Sequence, residues 1–185
     1  PYAAAKAGGD LMCRAYFVTH GTPVVVTHCS NNYGPYQFPE KLIPFFVFKL
    51  LKGEQVPVYG DGLNVRDWIH VVDHAKALSL LLEKGVAGEI YNIGVDNERN
   101  NLEITRLIIE LMGLGEDRIA YIKDRPGHDR RYAIDARKIE AELGWKPAET
   151  FDTGIAKTVA WYLSHQEWVA NVQSGGYRDW VQTHY

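Results

Sequence analysis

Tyr2 and Lys6 stand four residues apart with alanines between them, in PYAAAKAGGD. Alanine favours a helix, and four residues is just over one turn, so phenol and ammonium share a helix face. A cation beside a tyrosine favours the phenolate, the form that can take a proton from a hydroxyl. The spacing alone is equally that of a surface helix with one aromatic and one solvated lysine. Three further groups could do chemistry. Arg66 in NVRDW and Arg125 in DRPGH carry guanidinium forks, the geometry that suits phosphate oxygens. His128 and Asn101 lie in neighbouring segments, and Asn31 and Asn32 open the polar stretch NNYGP. By themselves these residues read as solvated arginines, a surface histidine, a helix cap and an Asx-turn. Arg130 and Arg131 extend the basic cluster, with ion pairs to Asp129 or Asp135 as the plain alternative.

The elements that must position these groups alternate in type. Residues 2–20 read as a helix that Gly21 stops. The β-branched run from Val24 to Thr27 reads as a strand buried on both faces, breaking into a polar loop. A helix follows over 39–53, with Pro39 near its start and Gly53 at its stop. VPVYGDG is a short strand and turn; VVDHAKALSLLLEKG is a helix with Asp73 near its beginning; GEIYNIGV is another strand of the buried type. Asn101 is expected to cap the helix LEITRLIIELMG, whose apolar residues recur at helical spacing. RIAYI is a short strand and DRPGHDRRYAID a charged loop. ARKIEAELGWKP is a helix closed by Gly144, and one longer helix, capped by Thr150 or Asp152, runs from there to about Val172. Helices alternating with buried strands imply an α/β fold with a mostly parallel sheet.

Composition excludes several classes. The 185 residues carry a net charge of −3, which offers no polyanion surface, so no nucleic acid partner is expected. The two cysteines, Cys13 and Cys29, match no metal or redox spacing, and no metal is expected. No apolar run reaches membrane-spanning length and no secretory signal opens the chain, so the expectation is a soluble, cytoplasmic protein without a membrane partner. Gly85, Gly88 and Gly94 precede a strand instead of following one, so they are not read as a phosphate cradle.

Taken in order, Tyr2-xxx-Lys6, SNNYGP, YGDGLNVRDWIHVVDHAKAL and YNIG resemble the extended short-chain dehydrogenase/reductases that act on nucleotide sugars. HCSNNYGPYQFPEKLIP and DRPGHDRRYAID narrow the resemblance to the dehydratases of dTDP-glucose. The resemblance runs over essentially the whole chain. It implies the C-terminal part of an NAD(P)-binding Rossmann-like fold together with the smaller nucleotide-sugar-binding α/β domain. Residues 1–35 would complete the Rossmann-like domain and 36–185 would mainly form the substrate domain, with 65–95 returning to the first. The glycine-rich NAD loop, an active-site threonine and an Asp-Glu pair would lie upstream of this chain, leaving it inactive alone.

The implied reaction is a redox-neutral dehydration giving a 4-keto-6-deoxy sugar, with NAD as resident cofactor. Tyr2 would be the base; Lys6 would hold the cofactor ribose, and Asn32 would touch the nicotinamide. Asn31, Lys41 and Leu42 would contact substrate. Pro57, Val58 and Tyr59 would meet the nucleobase. Arg66, Asn101 and the segment Asp124, Arg125, Pro126, Gly127 and His128 would serve the diphosphate side, and Tyr185 would contact substrate near the end of the chain. The resemblance further implies a homodimer built on the first helix. Related nucleotide-sugar epimerases and decarboxylases share the tyrosine-lysine pair, and a chain that only binds nucleotide sugar or self-associates is the remaining alternative.

Overall fold

The computed structural model describes residues 1–175, and Tyr185, Tyr177 and Trp180 lie outside the described residues. Helix α1 (Tyr2–His20) ends where Gly21 takes the left-handed conformation, as expected. It leads into β1 (Val26–Cys29), which runs parallel to β5 (Ile90–Ile93). After Ser30 the chain re-enters a second ladder as β2 (Asn31–Tyr33), parallel to β4 (Val65–His70). At Val65 and Arg66, β4 is flanked on one edge by β6 (Glu98–Asn100), antiparallel, and on the other by β8 (Arg131–Tyr132), parallel. A third parallel pair joins β3 (Val56–Tyr59) to β7 (Ile119–Ile122). The pairing is mostly parallel, but among the described residues it forms separate ladders and no single sheet.

Two apolar clusters hold these ladders. One packs α3 (Val71–Lys84) and α5 (Arg137–Leu143) on the β5 side through Ala77, Leu81, Tyr91, Ile93, Ile139 and Trp145. The other gathers α2 (Leu42–Leu51), α4 (Asn101–Leu111), α6 (Phe151–Ser164) and α7 (Gln166–Ser174) around Tyr33, Trp68 and Val56. At about 25 cal/mol per Å² of apolar surface, such side chains each contribute roughly 1.5–3 kcal/mol on burial.

Several sequence expectations are corrected. β1 is half-buried, with His28 and Cys29 exposed, and Ile90 of β5 is exposed. β5 alternates between buried and less buried residues, and β1 passes from half-buried to exposed along its length, so neither is a strand enclosed on both faces. Helix α2 starts at Leu42, three residues after Pro39; Pro44 sits in its first turn, where a missing N–H costs no helix bond. Asn100, not Asn101, caps α4: its Oδ1 accepts from the Glu103 amide (2.8 Å) while Glu103 Oε2 accepts from the Asn100 amide (3.0 Å). The long C-terminal helix is two helices that break at His165, whose ring stacks on Trp161 at 4.3 Å, and Thr150 caps the first. β4 and β6 were not foreseen, and β2 lies inside the stretch read as a loop.

Candidate functional site

β4 builds the site. Its pairing with β8 sets Arg66 opposite Tyr132, residues far apart in sequence. The Arg66 guanidinium lies 3.9 Å above the Tyr132 ring. It donates to the Val65 carbonyl (2.6 Å) and the Asp129 carbonyl (2.8 Å). Asn64 reaches the same Asp129 carbonyl at 3.2 Å, and the Val65 amide donates to the Arg130 carbonyl at 2.8 Å. These bonds strap the 129–132 segment along β4. Only 5 % of Arg66 is exposed, yet among the described residues no carboxylate pairs with it. A buried cation is costly without a counter-charge, so a site that shelters one and leaves N–H groups over is suited to an anion.

A groove opens in front of it. One compartment, of about 340 Å³, is lined by Asn31, Asn32, Gln37, Lys41, Leu42, Arg66, Trp68, Asn101, Arg125, His128 and Tyr132. A second, of about 370 Å³, is lined by Glu40, Lys41, Leu42, Phe45, Phe46, Pro57, Val58, Tyr59, Asn101, Thr105, Arg125 and His128. The shared residues Lys41, Leu42, Asn101, Arg125 and His128 make them one groove, cationic at one end and apolar at the other. A larger cleft of about 470 Å³ lies at the end of β5, but its arginines are paired: Arg131 with Glu98 and Arg137 with Asp135. It leaves no spare cation, so the groove is the better anion site.

The loop 124–128 is organised from within. Asp124 Oδ1 accepts from the Arg125 amide (2.8 Å) and from His128 Nδ1 (2.7 Å). The His128 bond holds the Asp124 carboxyl below its usual range. Gly127 turns the chain with φ 66°, a conformation that side chains resist. His128 stands edge-on to Tyr59 at 6.2 Å, closing the second compartment. Pro126, Gly127 and Asp124 shape this loop without lining the groove.

Asn32 is bonded at both ends of its side-chain amide. Its Nδ2 donates to the Ser30 carbonyl (3.1 Å), and its Oδ1 accepts from His74 Nδ1 at 2.8 Å. Burial lowers the His74 pKa, which favours the neutral ring. Tyr2 and Lys6 do share a face of α1, with Lys6 Nζ 5.9 Å from the Tyr2 ring centre. Tyr2 is 78 % exposed, and neither residue lines the groove. Arg130 and Arg131 are ion-paired, but with Asp61 (2.7 Å) and Glu98 (2.6 Å), carboxylates distant in sequence. Arg130 holds Asp61 down to about 2.

Sequence reading missed Gln37, Trp68 and Tyr132. Gln37 Nε2 donates to the Asn32 carbonyl at 2.8 Å. Trp68 follows Arg66 by two, and the period of a strand puts both on one face; recognising VRDWIH as a strand would have found it. Tyr132 lay inside the charged segment, with no local sign that it faced Arg66.

This geometry, an α/β frame with a groove cationic at one end and a tyrosine-lysine helix, defines a class. The chain matches the family model for GDP-mannose 4,6 dehydratase over residues 1–158 and belongs to that family. Among its relatives, dTDP-glucose 4,6-dehydratase of Salmonella typhimurium is 52 % identical over 192 residues, covering 100 % of this chain and 53 % of the relative. The chain therefore spans about half the length of the curated relatives it matches. The crystal structure of dTDP-glucose 4,6-dehydratase from Bacillus anthracis in complex with NAD superposes with a TM-score of 0.89 at 51 % identity, covering 93 % of this chain and 55 % of that one. A UDP-glucose 4-epimerase from Thermotoga maritima, solved with UDP-glucose, gives 0.85 at 30 % identity, covering 90 % and 54 %. The α/β, Rossmann-like class expected from the sequence is the class of these neighbours. No helix among the described residues is long and apolar enough to cross a membrane.

Proposed function

We propose that the protein containing this chain dehydrates dTDP-glucose to a 4-keto-6-deoxy sugar nucleotide with NAD as resident cofactor. The observation that carries this reading is Arg66, sheltered and without a carboxylate partner among the described residues, at the cationic end of the groove. Arg66 and Arg125 hold the diphosphate, assisted by Asn101 at the start of α4 and by His128. The nucleobase lies in the apolar compartment against Pro57, Val58 and Tyr59. β3 is laddered along one edge only among the described residues, which leaves backbone groups for a pyrimidine edge. Lys41, Leu42 and Asn31 close on the ligand from the opposite wall. Residues 1–35 with 65–95, and the rest, act as the cofactor-side and substrate-side units.

The residues present fit part of NAD: Lys6 is free of ion pairs among the described residues and can bond a ribose, and the Asn32 amide is held in one orientation for the nicotinamide. Bound NAD would supply the hydride acceptor and, at the end of turnover, the hydride donor. Tyr2 takes the proton of the sugar's C4 hydroxyl, with Lys6 on the same helix face. The dTDP-glucose relatives favour this reaction over epimerisation.

Calorimetry tests the site. Free dTDP should compete with substrate, and glucose 1-phosphate should not. Arg66→Ala should weaken dTDP by about ten- to a hundredfold, the equivalent of about 1.5–3 kcal/mol for a charge-assisted hydrogen bond. Arg66→Lys should recover part, since an ammonium cannot fork across two oxygens. Unchanged dTDP affinity in Arg66→Ala would make this arginine structural and sink the reading.

A further inference from the structure

Asp67 is buried at the middle of β4, and its carboxylate is not aimed at the groove. It gathers three donors from two other segments. Ser30 Oγ donates to Oδ2; the Val95 amide donates to Oδ2 at 3.2 Å; the Asn97 amide donates to Oδ1 at 2.8 Å. Ser30 is the one residue between β1 and β2, and its own amide donates to the Ile93 carbonyl at 3.0 Å. One carboxylate thus ties the junction of the first two ladders to the loop after β5. Gly94 is what lets these groups close up: a Cβ there would stand 2.7 Å from both Asp67 Oδ2 and Ser30 Oγ. That spacing is impossible for real atoms without displacement, which explains the glycine of YNIG at a position where φ asks for none.

We infer that Asp67, Ser30 and Gly94 form a joint that positions Asn31 and Asn32 relative to Arg66, and so sets the span between the cofactor side and the diphosphate side of the groove. The neighbours make the case. Asn31 and Asn32 follow Ser30 directly, and Arg66 precedes Asp67 directly. A backbone shift at the joint therefore moves both walls of the groove at once. The three are positioning residues, and the inference rests on Arg66 being the diphosphate ligand.

The test is a double-mutant cycle read by dTDP calorimetry on the protein containing this chain. Asp67→Asn keeps the shape but turns an NH₂ toward a donor. It should weaken dTDP by about threefold to tenfold when Arg66 is present. In the Arg66→Ala background the same change should move affinity by less than about twofold, because contacting groups couple and independent ones add. Ser30→Ala removes a single hydrogen bond and serves if Asp67→Asn does not fold; it should show the same non-additivity. Gly94→Ala should reproduce the loss through its Cβ alone. Equal losses in both backgrounds, or unchanged dTDP affinity in folded Asp67→Asn or Ser30→Ala, would overturn the joint. Arg66→Ala without effect on dTDP would instead sink the ligand assignment and leave that separate failure visible.

Discussion

At the residue scale, each groove residue owes its usefulness to what its neighbours leave undone. Arg66 has two carbonyls and a ring for support and keeps its remaining N–H groups and its whole charge. Arg130 and Arg131 are of the same type and stand close by in sequence, yet their carboxylates have already neutralised them. Tyr2 differs again. Lys6 Nζ lies 5.9 Å from its ring centre, and both sit on an exposed face of α1. As the proposed base, Tyr2→Phe should lower turnover by about 10²–10⁴-fold, the usual worth of a general base, while dTDP affinity stays within a few-fold. Stopped-flow absorbance at the reduced-nicotinamide band, with dTDP calorimetry beside it, separates the two effects. Turnover near the unmodified rate would remove Tyr2 from the chemistry.

At the scale of elements, α4 shows how a cap and a groove-lining residue can be adjacent and distinct. Asn100 closes the capping box with Glu103, while Asn101 begins the helix and lines both compartments of the groove. The Asn101 amide bonds the Asn64 carbonyl at 3.1 Å and the Leu102 amide bonds the Gly62 carbonyl at 2.9 Å, docking the helix on the turn after β3. Asn100→Ala should cost about 0.5–2 kcal/mol of stability, the range for losing such a cap. Asn101→Ala should cost less in stability and more in dTDP affinity. Denaturant midpoints and calorimetry on the two variants decide it; the reverse order would return the capping role to Asn101.

At the scale of the whole molecule, α1 is the element least accounted for by its own chain. None of its residues is buried, and Leu11, Met12, Tyr16 and Val18 are exposed. His28 Nε2 bonds Asp10 at 2.9 Å, and Phe17 packs on Gly88; the opposite side has no cover among the described residues. The proposed homodimer through this helix would cover a face that water otherwise solvates at a cost. Light scattering at micromolar concentration should read a dimer, and Met12→Glu should shift it toward monomer. A monomeric unmodified protein would remove the dimer.

The sequence by itself determined what is local. Helix α1 stops at Gly21, α5 stops at Gly144, and VPVYG is a strand, because left-handed glycines and side-chain periodicity act within a few residues. It also held the residue types of the groove, since Asn31, Asn32, Lys41, Leu42, Pro57, Val58, Tyr59, Arg66, Asn101, Arg125 and His128 all line it. Tertiary structure alone decided which arginines stay free. Arg66, Arg125, Arg130 and Arg131 look alike along the chain, and only the pairing of β4 with β8 and β6 hands Glu98 to Arg131 and Tyr132 to Arg66. Charge compensation is set by distance in space, and that distance exists only once strands remote in sequence have been laid side by side.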